Sequence, residues 1–73
     1  MEIAPQVSVD PKVHHGAVVI TGTRVPVSIV VGSLAGGMSK AEVMAEYDLT
    51  REQVEAALAY AASLVSETEV VPL

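Results

Sequence analysis

Two hexapeptides of this chain run through the same order of residue types, MSKAEV at 38–43 and LTREQV at 49–54. Each offers an apolar residue, a hydroxyl, a base, a variable position, an acid or its amide, and then Val. Ser39 with Glu42, and Thr50 with Gln53, have the spacing of a capping box. In that device the hydroxyl accepts from the third helical amide, whose side chain returns a bond to the cap amide. Met38 with Val43, and Leu49 with Val54, supply the apolar brace that accompanies such caps. One helix is therefore expected over about 40–47 and the next over about 51–66. Only Asp48 and Leu49 stand firmly between them, a turn short enough to join a helix-turn-helix pair.

On the helix from Arg51, residues Val54, Ala57, Leu58, Ala61, Leu64 and Val65 form one apolar stripe at helical spacing. The opposite side carries Ala56, Ala59 and Ser63, with Glu52 and Glu55 at its start. A helix that is apolar or small nearly all round is buried on more than one side. Ala56, Ala59, Tyr60 and Ser63 are thus expected to meet a second copy or a partner. Residues 67–73 form a tail without a helical signal. Val70, Val71 and Leu73 would let it order as a strand on a partner, the alternative being a frayed end.

Towards the N-terminus the pattern changes to short β-branched runs: VSV at 7–9, AVVI at 17–20 and RVPV at 24–27. Two or three strands are expected within about 7–27. Gly22 would take a backbone conformation that a Cβ disfavours, and Pro26, which cannot donate to a ladder, would sit at an edge or a strand end. Ser28 is expected to cap a first helix over about 28–36, stopped by Gly36 and Gly37. The fold class that follows is mainly α with a small N-terminal β element, in one domain over residues 1–66.

Hydrophobic residues make up 51% of the 73 positions, yet Phe and Trp are absent and the aromatics are Tyr47 and Tyr60 alone. The core must be aliphatic. A domain this small buries only about 60% of its unfolded surface, so the apolar excess points to a partner, most simply a homodimer. Without cysteine there is no disulfide, thiol catalysis or Cys-type zinc site. His14 and His15 are adjacent, diverge, and have no well-spaced third ligand, so no metal and no cofactor are expected. The start MEIAPQVSVD has no cationic and apolar leader, and the longest uncharged run, Val25 to Ser39, is shorter than the roughly 18 residues of a membrane span. A cytoplasmic, membrane-free protein is the expectation. No phosphate loop, nucleophile elbow or triad is present, and an enzyme is not expected.

The net charge is −5. A protein gripping phosphates needs its few bases well placed, or else a basic partner. Lys40 and Arg51 each open a helix, where the dipole disfavours a cation by a few tenths of a kcal/mol but where amides and base together suit a phosphate. Gln53 is the only amide on that face, and Glu52, Glu55 and Ala56 are poor base readers, so DNA would be held by its backbone. Glu42 and Glu46 read as a solvated face. Arg24, inside an apolar run, either snorkels outward, pairs with a carboxylate such as Asp10, Glu46 or Asp48, or reaches DNA or a partner.

The stretch from Val9 to Ala61 resembles the family catalogued as domain of unknown function 433. The resemblance rests on Asp10-Pro11, the β-branched run after Gly16, Gly22-Thr23-Arg24-Val25-Pro26-Val27, and Gly37-Met38-Ser39 with Glu42-Val43. One departure is Asp48, where the family often has proline after tyrosine. The family is similar to VapB-type antitoxins, often encoded beside a PIN-like ribonuclease. That implies a homeodomain-like or winged helix-turn-helix, dimeric, that neutralises the nuclease toxin and binds its operator DNA as an autoregulator. The alternative is a dimerisation or protein-interaction module in which the same scaffold has no DNA role.

Overall fold

The computed structural model describes residues 1–9, 11–12 and 16–68. Three strands, β1 (Glu2–Ala4), β2 (Val7–Val9) and β3 (Val18–Ile20), precede three helices, α1 (Val27–Ala35), α2 (Lys40–Tyr47) and α3 (Arg51–Thr68). The strands form one antiparallel sheet in the order β1-β2-β3. Val7 faces Ile20, Ser8 faces Val19 and Val9 faces Val18. The mainly α body with a small N-terminal sheet agrees with the expectation, while four details differ from it.

The β element begins earlier than residue 7. β1 pairs with β2 through Glu2↔Ser8 and Ala4↔Val7, with an irregularity between them. Conversely, RVPV at 24–27 is not a strand. Pro26 makes a single antiparallel bridge to Val19, as a residue lacking the N–H for a ladder would. The chain returns to β3 through a tight turn in which the Thr23 amide donates to the Ile20 carbonyl at 3.0 Å and the Ile20 amide donates to the Val25 carbonyl at 3.0 Å. Gly22 sits in this turn at φ 80°, as expected. The Thr23 hydroxyl donates to the Ile20 carbonyl at 2.8 Å and accepts from the Val25 amide at 3.0 Å. The Gly-Thr pair is thereby accounted for by the backbone alone.

Ser28 does not cap α1. The helix opens one residue earlier, at Val27, with Pro26 as its N-cap at φ −66° and ψ 142° and no side-chain cap bond. Proline's fixed φ already suits a helix entry, and its carbonyl takes the Ile29 amide at 3.1 Å. The glycine stop stands as expected. Gly37 at φ 108° lets its amide donate to Leu34 and the Met38 amide to Ser33, both at 3.1 Å, the paired bonds of a left-handed helix end.

Both capping boxes form. The Glu42 amide donates to Ser39 Oγ at 3.1 Å and the Ser39 amide to Glu42 Oε1 at 2.8 Å. The Gln53 amide donates to Thr50 Oγ1 at 3.2 Å and the Thr50 amide to Gln53 Oε1 at 2.8 Å. Between the helices Asp48 adopts φ 54° and ψ 52°, a conformation closed to proline. The turn here therefore differs from one built on a Tyr-Pro pair. α3 runs to Thr68, two residues past Ser66 and into the expected tail; residues 69–73 lie outside the described ones.

The core is aliphatic. Val7 and Ile20 of the sheet meet Val27 and Val30 of α1, Val43 of α2, Leu49 of the turn, and Val54 and Ala57 of α3. The apolar brace at each helix start is thus part of the core, with Met38 packed beside it. A 3.2 Å hydrogen bond between Ser33 Oγ and Tyr47 Oη ties α1 to α2.

Candidate functional site

The α2–α3 corner places both helix-opening bases at one carboxylate. Lys40 Nζ lies 3.4 Å, and Arg51 Nε 3.7 Å, from the same Glu55 oxygen. All three side chains are about half exposed or more, at 42%, 67% and 51%, so these pairs are screened and weak. The repeat in the sequence thus becomes a spatial cluster, joined by an acid from the first turns of α3. Gln53 stands beside it, half-buried, with its Oε1 occupied by the Thr50 amide. It serves as the cap that the sequence spacing expects. The Glu42 carboxyl, likewise held by the Ser39 backbone amide and then by its hydroxyl, stays below the usual carboxylate range. Arg24 is exposed in the return segment between β3 and α1. Of the carboxylates considered for it, Asp10 lies outside the described residues.

The expected stripe on α3 is buried only in its first half. Val54 and Ala57 are fully buried and Leu58 and Ala61 half-buried, but Leu64 is 42% and Val65 60% exposed. Two grooves flank this helix. One, of about 210 Å³, is lined by Ala4, Pro5, Ala56, Ala59, Tyr60 and Ser63. All four α3 residues expected to face a second copy or partner line it, opposite the β1–β2 turn. Val70, Val71 and Leu73, expected to join them, lie outside the described residues.

The second groove, of about 370 Å³, was not expected. Ala17 and Val18 of the β3 side, Val27, Ser28 and Val31 of α1, and Tyr60, Ala61 and Leu64 of α3 line it. A signal for it existed in the sequence. The run Val25 to Ser39 carries no charge, yet it holds a whole surface helix whose Ser28, Ile29, Gly32 and Ala35 are exposed. Tyr60 borders both grooves.

Among the described residues no group of three or more His, Asp or Glu could hold a metal, and His14 and His15 lie outside them. No described helix is long and apolar enough to cross a membrane. Among the described residues, the surface includes these two apolar grooves and the mixed-charge corner.

A family described as protein of unknown function (DUF433) matches residues 7–61. None of the curated proteins matches the chain. Among solved structures, it is similar to the crystal structure of Rv2018 from Mycobacterium tuberculosis, at 34% identity and a TM-score of 0.66. The likeness covers 74% of this chain and 28% of that one, so the chain spans little more than a quarter of that protein's length.

Proposed function

We propose that this chain, which belongs to the DUF433 family, is an antitoxin that neutralises a PIN-like ribonuclease and, as a homodimer, binds its own operator DNA. The reading takes α2 and α3 as the helix-turn-helix of a homeodomain-like or winged unit. The observation that carries it is the gathering of Lys40 and Arg51 at two capped helix starts around Glu55. Amides and cations there would receive DNA phosphates, with Glu55 as the group that a phosphate must displace. The net charge of −5 suits a basic nuclease as partner, and the smaller groove suits a second copy.

DNA and toxin binding are separable by experiment. With operator DNA, Lys40→Ala and Arg51→Ala together should weaken binding uniformly across sequences and flatten its dependence on log salt by about 2 in slope per subunit, about 4 for the dimer. Glu55→Gln should tighten binding, because it removes the competing carboxylate. Unchanged DNA affinity in both variants would sink the phosphate reading. The interaction-module reading would then stand in its place, favoured by the two grooves and by a Glu55 that already answers both cations. Neutralisation is tested by titrating the chain into a PIN-like ribonuclease from the same host operon and following RNA cleavage.

A further inference from the structure

The larger groove has walls of one character and an end of another. None of its eight lining residues is charged, and α1, which forms one wall, has neither an acid in its first turn nor a base in its last. On α3 no charge occurs between Glu55 and Glu67. Tyr60, Leu64 and Glu67 follow one another at helical spacing on one side of α3, so the stripe that walls the groove ends on an exposed carboxylate. The last turn of α3 contains no base, and its terminal carbonyls add the partial negative charge of a helix end.

An apolar slot whose α3 wall continues, one turn past Leu64, to an exposed acid selects its occupant by charge as well as by shape. We propose that it receives an amphipathic helix of a basic protein, apolar side down, with a Lys or Arg at the end nearest Glu67. This rests on the antitoxin reading, which makes the ribonuclease that basic protein, and it separates toxin capture from the smaller groove and from the Lys40–Arg51 corner.

The test is inhibition of RNA cleavage by the full chain, titrated against the PIN-like ribonuclease at low and moderate salt. The variants are Ser28→Arg, Leu64→Arg, Glu67→Gln and, outside the groove, Glu46→Gln, each checked by urea unfolding and by its self-association. Ser28→Arg and Leu64→Arg should each weaken inhibition by about tenfold or more, and Ser28→Arg, at an exposed helix start, should leave folding intact. Glu67→Gln should weaken it about threefold and reduce its salt dependence, while Glu46→Gln should match the parent chain. If the parent chain inhibits and the groove variants inhibit equally well, the placement is overturned and the antitoxin reading survives. If they lose self-association instead of inhibition, the groove belongs to a second copy and the proposal fails. If the parent chain does not inhibit, both readings fall together.

Discussion

At the scale of single residues, two of the described positions with positive φ bear directly on stability. Asp48 lies at φ 54° and Gly22 at φ 80°. Asp tolerates the left-handed region better than most residues, but glycine tolerates it best. Asp48→Gly should therefore raise stability by about 0.5 kcal/mol in urea unfolding. Gly22→Ala should lower it by about 1 kcal/mol, although a Cβ there would meet nothing within 4 Å; a neutral result would mean that the turn readily changes type. Glu42 makes a pH prediction. Its folded pKa is depressed, chiefly by the Ser39 amide, from an ordinary value of 4.5. A depressed acid contributes stability above its unfolded pKa and loses it as pH falls through the folded one. Unfolding followed from pH 5 downward should thus show a loss that Glu42→Gln makes shallower. Gly22, Ser39, Glu42 and Thr50 were legible in the sequence because each acts within three or four residues of itself. The left-handed Asp48 was not, because nothing in its residue type demands that conformation.

At the scale of elements, strong local signals located the helices and a strand with little signal of its own hid part of the sheet. Both capping boxes form as spaced, so Ser39→Ala and Thr50→Ala should each cost about 1 kcal/mol. Hydrogen exchange should place the loss in the first turn of α2 or α3 respectively. β1 was illegible because Glu2–Ala4 has little strand character of its own; Ala4 pairs with Val7 across a turn in which Gln6 takes φ 58°. The run at 24–27 misled because a β-branched segment around proline suits either a strand end or a helix entry. The helix prevails because Val27 and Val30 are needed in the core. Val30→Ala, at a fully buried position, should cost about 2 kcal/mol, as other deletions of buried methyl groups do.

At the scale of the whole molecule, the two grooves were half legible. The α3 residues that line the smaller one stood out in the sequence as small residues repeating on one helix. The larger one needs three elements distant in sequence, β3, α1 and α3, and only the uncharged run through α1 hinted at it. If the smaller groove is the dimer contact, Ala59→Arg should convert a dimer to a monomer in sedimentation or light scattering while changing the unfolding free energy of the monomer itself by no more than about 0.5 kcal/mol. A dimer that survives this substitution removes that groove from consideration.

Tyr60 stands between the two grooves as a shared wall. If a second copy fills one side and the proposed nuclease the other, both would bear on the same ring and the two occupancies would be thermodynamically linked. Linkage is reciprocal: the factor by which self-association changed nuclease affinity would equal the factor by which the nuclease changed self-association. The chain has no tryptophan and only one other tyrosine. With Tyr47 replaced by Phe, the emission of a single ring would report both events, in either order of addition.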